Sequence, residues 1–221
     1  MVISTRLCLV RHGETAWNTE RRLQGHLDVP LNPTGERQAE ATARALAGLA
    51  PFDAIHSSDL ARALRTAQAA GNALSLPVQI DADLRERHYG AFQGLTHEEA
   101  QARHPEDYRR WHGRDPQFDL LGGESLNTFA TRIRHTLERI AAAHPGGRVL
   151  VFTHGGVLDV AHRLASGRPL HIPRDFSIPN AGLNWLERDA AGWRLLSWAE
   201  QDHLDDTLDE SADGGRAPSA N

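Results

Sequence analysis

Short apolar runs along the chain alternate with longer stretches in which apolar residues recur every three or four positions, the pattern of strands interleaved with helices. Four runs read as strands: Arg6 to Val10, Asp53 to His56, Val78 to Ile80 and Arg148 to Thr153. The helical stripes between them are better marked. Asn32 and Pro33 supply a cap and a first-turn proline for a helix to about Leu49, with Ala39, Ala43, Leu46 and Leu49 at core-facing spacing. Ser58 reads as the cap of the next helix, carrying Leu60, Leu64, Ala67 and Leu74, and Ser125 opens a third whose Leu126, Phe129, Ile133, Leu137 and Ile140 form the cleanest stripe. Leu183 to Arg188 and Trp193 to Trp198, joined by Asp189-Ala190-Ala191-Gly192, predict an antiparallel hairpin at a sheet edge. The whole predicts an α/β fold: a mostly parallel central sheet with helices on both faces and an antiparallel edge hairpin.

Two segments break the alternation. Residues 96–123 are polar, with two prolines and Trp111, and predict a short helix followed by a loop, a lid-like insertion able to cover a site. Residues 205–221 are acidic, then rich in Gly, Ser, Ala and Pro, and predict a disordered tail after a single domain over 1–204.

Composition narrows the function classes. With 221 residues and 40% hydrophobic content the chain can build one core. No apolar run approaches the roughly 18 residues of a membrane span, and none resembles a signal peptide, so a cytoplasmic, membrane-free protein is expected. The net charge is −5 and all 24 cations are arginines; without a lysine, Schiff-base and P-loop lysine chemistry are excluded. The arginines are scattered, which gives no basis for a nucleic-acid surface. The single cysteine, Cys8, lies inside the first apolar run and reads as a small buried hydrophobe. Thirteen histidines invite a metal reading, but there is no His-Glu-x-x-His and no cysteine set, so neither metal nor other cofactor is expected. His97, His104, His112, His135 and His144 read as exposed polar residues.

The candidate chemistry sits where strands end. The first run ends in Arg11-His12-Gly13 and the fourth in His154-Gly155-Gly156, with a helical stretch from about Val157. Open α/β sheets bind ligands at the carboxyl edge, and a helix N-terminus there offers backbone N–H groups to an anion. Arg62, in the first turn after the second strand, and Glu86, shortly after the third, would add a guanidinium and a carboxylate to the same edge. Read singly, Arg62 and Glu86 are equally at home in surface ion pairs.

Taken in order, the motifs resemble the histidine phosphatase superfamily, the group that includes cofactor-dependent phosphoglycerate mutases. They are Arg11-His12-Gly13-Glu14-Thr15 with Asn18; Leu23-Gln24-Gly25 leading to Asp28-Val29-Pro30-Leu31 and Thr34-Gly35; Ser57-Ser58-Asp59-Leu60 with Arg62; Leu84-Arg85-Glu86; Gly122-Gly123-Glu124-Ser125; and Thr153-His154-Gly155-Gly156. The resemblance implies that His12 is a nucleophile that becomes phosphorylated, that Arg11, Arg62 and His154 build the phosphate pocket, and that Glu86 is the acid/base. It marks Asn18, Gln24, Gly25, Arg87, Tyr89, Gly155 and Asn180 as substrate-binding candidates and a small phosphorylated metabolite as the partner. Oligomeric state is not legible, a homodimer being the alternative to a monomer.

Within that family, phosphatase and mutase are distinguished by the acceptor of the phosphoryl group. Glu86-Arg87-His88-Tyr89-Gly90 is similar to the mutase signature, but His97 stands near the position of the mutases' lysine, and Arg109-Arg110 precede Trp111 instead of following it. The insertion before Gly122 is also short for a mutase. A phosphatase acting on a small monoester is therefore the expected function and a phosphoglycerate mutase the alternative, with Arg87, Tyr89, Arg109 and Arg110 as carboxylate partners of the substrate. A module that binds phosphorylated partners, or dephosphorylates proteins without small-molecule specialisation, is the third reading; a non-catalytic module is disfavoured because His12 and Glu86 are both in place.

Overall fold

The structure, a computed structural model, describes residues 3–49 and 51–204. Its centre is a six-stranded sheet in the order β3-β2-β4-β1-β5-β6, built from β1 (Thr5–Arg11), β2 (Ala54–Ser57), β3 (Val78–Ile80), β4 (Arg148–Thr153), β5 (Leu183–Asp189) and β6 (Gly192–Glu200). β1, β4, β2 and β3 pair in parallel, while β5 and β6 run antiparallel at one side. The predicted fold class is the observed one. The tail expected over 205–221 lies outside the described residues.

Strand β1 shows how an uninterrupted apolar run serves a sheet covered on both sides. Leu7 and Leu9 project into one core with Val149 and Val151, and Cys8 and Val10 into the other with Leu150 and Phe152. α6 (Leu126–Ala143) and α7 (Gly155–Ser166) cover the first face; α2 (Pro33–Ala47) and α3 (Ala61–Leu74) contribute to the second. The α6 stripe, Leu126, Phe129, Ile133, Leu137 and Ile140, is buried as its spacing predicts, each side chain contributing roughly 1.5–3 kcal/mol. Burial also pushes the Cys8 thiol up, which leaves it an inert core residue.

Helix ends depart from the sequence reading in physically informative ways. Asn32 caps α2 through Gly35 N as expected, but the helix closes at Ala47, so Leu49 lies beyond it and is exposed. α3 starts at Ala61 with Leu60 at its cap and no side-chain capping bond from that residue; Ser58 lies two residues too early, where its hydroxyl accepts from Leu60 N–H at 3.3 Å ahead of the first turn. α7 begins at Gly155, two residues sooner than predicted, directly at the end of β4.

The segment before α6 carries more structure than one helix and a loop. A short α1 (Ala16–Thr19) follows β1 near the N-terminus, and α4 (His97–Arg103) and α5 (Pro105–His112) form two helices in the insertion. Thr96 and Glu99 make a capping box for α4, and Pro105 takes the first position of α5, where its missing N–H costs nothing. Trp111 packs against Tyr89, Phe92, His97 and Tyr108, giving the insertion a small core. His97 and His104 are thus half-buried ring partners rather than exposed residues, and His144 meets His56 at 3.2 Å.

Candidate active site

The parallel register of β1 and β4 aligns Arg11 with Thr153, so the residue after each strand, His12 and His154, emerges at the same level. His12 N–H donates to Thr153 O at 2.9 Å, and the two imidazole centroids are 5.3 Å apart. Strand β2 adds Ser58, whose amide donates to Phe152 O and whose hydroxyl meets His154 Nε2 at 2.9 Å. This contact orients His154, and the same hydroxyl accepts from Leu60 N–H at 3.3 Å in the turn before α3. His154 Nδ1 is buried without a hydrogen-bond partner among the described residues.

The geometry of His12 fixes its tautomer. Its Nδ1 lies 2.7 Å from Gly13 O, and because a carbonyl only accepts, Nδ1 carries the hydrogen and Nε2 keeps its lone pair. Burial, reinforced by Arg62 and Arg11, holds the imidazole pKa well below its ordinary value, so the ring is neutral near pH 7. The main chain around it is tied down from three sides: Asn180 Nδ2 donates to His12 O at 2.9 Å, Gly13 N–H to Thr66 Oγ1 at 3.1 Å and Glu14 N–H to Gln38 Oε1 at 2.8 Å. A Cβ on Gly13 would come within 2.5 Å of Gly35 O, so glycine is required where α2 presses on this loop.

The guanidinium groups are oriented by carbonyls, which position a cation without cancelling its charge. Arg62 Nη1 and Nη2 donate to Leu27 O and Gly25 O at 2.9 and 2.8 Å, and Arg11 Nη1 to Ile178 O at 2.7 Å. Gly25 needs its positive φ of 53°, and a Cβ there would strike Gln93. Glu86 faces these cations. Its Oε2 accepts from Gly156 N–H at the start of α7 and its Oε1 from Arg87 N–H, at 2.9 and 2.7 Å. Burial raises its pKa; the two amides, Arg62 and Arg11 work against that shift without cancelling it. A neutral imidazole and a carboxyl biased toward its protonated form therefore meet in one pocket.

The cavity wall comprises Arg11, His12, Arg62 and Glu86 with Gln24, Gly25 and Tyr89, all singled out from the sequence. It also includes Leu23, which stands in the Leu23-Gln24-Gly25 motif without having been given a site role, and Arg22, which the sequence reading missed although it directly precedes that motif. Arg22 is fastened to Glu20, to Glu99 of α4 and to Gly94 O, so it links the wall to the insertion. The remaining candidates lie around the wall. His154 is buried behind His12; Gly155 lies close to Arg11; Asn18 Oδ1 accepts from Thr15 N–H; and the Arg87 Nε donates to Glu124 O. Arg109 and Arg110 do not reach the site: on the exposed side of α5 they pair with Glu106 and Asp115. Among the described residues no group of three or more His, Cys, Asp or Glu side chains is arranged to hold a metal, and no helix is long and apolar enough to cross a membrane.

The contact between Gly156 and Glu86 yields a direct test. A Cβ at position 156 would lie 2.1 Å from Glu86 Oε1, the far end of a flexible side chain that can give way, and 3.2 Å from Phe129 Cε1. Gly156→Ala should leave a folded protein with a displaced carboxyl and lower kcat by about 10²-fold. Unchanged kcat in a variant of normal melting temperature would show that the Glu86 position is not critical.

Comparison with known proteins agrees with this geometry. The family model for the histidine phosphatase superfamily (branch 1) matches residues 7–201. Phosphoglycerate mutase-like protein 4 of Arabidopsis thaliana is 39% identical over 204 residues, covering 91% of this chain and 87% of that protein. The metal-independent phosphoserine phosphatase of the same plant is 37% identical, covering 97% and 90%. Among solved structures, a mycobacterial glucosyl-3-phosphoglycerate phosphatase superposes with a TM-score of 0.77 at 32% identity, over 90% of this chain and all of the other. With its fold, its strand-end histidines and a match across nearly all described residues, the chain belongs to the histidine phosphatase superfamily, branch 1.

Proposed function

We propose that this protein is a phosphatase that hydrolyses small phosphate monoesters through a phosphohistidine on His12. The observation that carries the reading is the 2.7 Å contact of His12 Nδ1 with Gly13 O, which leaves Nε2 as the nucleophilic nitrogen of a neutral ring in a pocket with Arg11, Arg62 and Glu86. In the first half-reaction the Nε2 lone pair forms a bond to phosphorus as the ester P–O bond breaks, and the Glu86 carboxyl gives its proton to the departing oxygen. Arg11 and Arg62 stabilise charge on the equatorial oxygens, with His154 as a further donor. Water then attacks phosphorus, Glu86 takes up the water's proton, and the P–N bond breaks to return neutral His12 and inorganic phosphate.

In this reading Gln24, Gly25 and Tyr89 contact the substrate, while Asn18, Gly155 and Asn180 organise the phosphate end. Arg22 and Arg87 lie nearby for a carboxylated leaving group. Residues 96–123, with α4 and α5, serve as the lid. The names of the relatives, a phosphoserine phosphatase and a glucosyl-3-phosphoglycerate phosphatase, favour such esters. A mutase is the second reading, favoured by Tyr89 on the cavity wall and by the relative named mutase-like.

A panel of phosphoserine, 3-phosphoglycerate and p-nitrophenyl phosphate, with and without 2,3-bisphosphoglycerate, separates the two. Phosphate release should dominate throughout; isomerisation of 3-phosphoglycerate outpacing release would establish the mutase instead.

A further inference from the structure

The motif Gly122-Gly123-Glu124-Ser125 has no part in the chemistry above, yet its Gly123 and Glu124 pack on the loop that carries Glu86 while Gly122 and Ser125 shape the chain on either side. Gly122 turns the chain at a φ of 72°. Gly123 lets the backbone pass so close that a Cβ would come within 2.4 Å of His88 O and 2.7 Å of Gly90 N. Ser125 caps α6 through Thr128 N–H at 3.1 Å. Glu124 reaches the loop with both main chain and side chain: its N–H donates to His88 O, its carbonyl accepts from Arg87 Nε, and its Oε2 accepts from His88 N–H, each at 2.9 Å.

Arg132, two turns into α6, completes the arrangement. Its Nε and Nη2 grip the two Glu124 carboxylate oxygens at 2.9 and 2.8 Å, a bidentate pair that is more than four-fifths buried. The same guanidinium donates to the carbonyls of Asp83, Arg85 and Glu86, at 2.8, 3.0 and 3.2 Å. One ion pair thus holds four main-chain groups between residues 83 and 88, on both sides of Glu86. Burial would raise the Glu124 pKa, but Arg132 and the His88 amide outweigh it and keep the carboxylate ionised.

We propose that Glu124 and Arg132 are positioning residues: a buried ion pair that clamps the loop over residues 83–88 and fixes the Glu86 carboxyl against the start of α7 for proton transfer. The proposal rests on the assignment of Glu86 as the acid/base. The side chain of Glu86 is anchored at its tip by the Gly156 and Arg87 amides, and the clamp sets where its Cα sits; both ends must agree for the proton to arrive in line.

The test uses the full chain with Arg132→Met, Arg132→Lys, Glu124→Gln and Glu86→Gln, and the double variant Glu86→Gln/Arg132→Met. Kinetics are followed on p-nitrophenyl phosphate and on an alkyl phosphate such as 3-phosphoglycerate, with circular dichroism and melting temperature to verify folding. In Arg132→Met kcat for the alkyl ester should fall about tenfold to a hundredfold, while p-nitrophenyl phosphate, whose leaving group needs little protonation, should change by less than about threefold. KM should stay near that of the unmodified protein. Arg132→Lys should restore part of the loss, and Glu124→Gln, which keeps hydrogen bonds but loses the charge, should fall between, which preserves the test if Arg132→Met does not fold. The double variant should be no worse than Glu86→Gln alone, since the clamp acts only through that carboxyl.

Equal losses on both esters in Arg132→Met, additive losses in the double variant, or no loss at all would overturn the clamp while leaving the Glu86 assignment standing. Equal losses on both esters in Glu86→Gln itself would overturn the acid role, and the clamp with it.

Discussion

Replacing His12 with alanine should abolish turnover, with kcat falling by about 10⁴-fold or more, because the covalent route disappears and only binding and charge stabilisation remain. Acid-labile phosphate incorporated from a ³²P-labelled ester should vanish with it. Gly13 O fixes the proton on Nδ1, so Nε2 is the nitrogen left to attack, and burial with Arg62 and Arg11 keeps it unprotonated. His154 is an internal control, since it too is a buried strand-end histidine with a depressed pKa, but it stands behind His12 and off the cavity wall. His154→Ala should weaken the phosphate pocket yet still accept label. Labelling retained in His12→Ala would transfer the nucleophile's role to another residue.

Glu86→Gln should produce the next largest effect and a selective one: a loss of about 10²- to 10⁴-fold on alkyl phosphates and a much smaller one on p-nitrophenyl phosphate. It should also change the pH profile. Because the folded environment raises the Glu86 pKa, the carboxyl stays protonated to higher pH than an exposed glutamate, and kcat/KM for alkyl esters should fall as pH rises through that value. Glutamine does not titrate, so the variant should lose this alkaline limb; ionisation of the substrate phosphate is common to both proteins and cancels in the comparison. On the acid side the depressed His12 pKa means that no decline should appear around pH 6.5, where an exposed histidine would gain its proton. An alkaline limb unchanged in Glu86→Gln would assign it to another group.

These expectations separate what the amino-acid sequence made legible from what it did not. The sheet was legible because Leu7 to Val10 and Val149 to Phe152 are continuous apolar runs, too short for a buried helix and suited to strands covered on both faces. His12 and His154 were legible because each ends such a run. Arg62 and Glu86 were identifiable only through ordered motifs, since an isolated arginine in a helix or glutamate in a loop also fits a surface ion pair. The capping role given to Ser58 failed because α3 starts two residues later than such a cap requires, and local pattern could not foresee that the hydroxyl also meets His154, 96 residues away. Arg109 and Arg110 failed for the opposite reason: charge suggested substrate, but helix phase turned them to solvent beside Glu106 and Asp115. Arg22 and Arg132 went unnoticed because what they do depends on carbonyls supplied by distant chain, at Gly94 and at Asp83 to Glu86. Side-chain bonds to main chain carry no residue-type signal at the accepting end.

The strand order has a consequence for how the protein comes into being. The strand that leads to His12 is near the front of the chain, yet its two neighbours in the sheet are β4 and β5, whose residues begin at Arg148 and Leu183. During synthesis β1, α2, β2 and α3 emerge early, but β1 cannot close either edge until more than a hundred further residues have followed. Such late, long-range pairing is slow, and until it occurs an apolar strand stays unsheltered. A nascent chain ending before Asn180 would hold Arg11, Arg62, Glu86 and His154 and still lack both the Asn180 contact to His12 O and the antiparallel partner of β1. On the proposed mechanism, the pocket around His12 is therefore completed only late, after the last hairpin has docked.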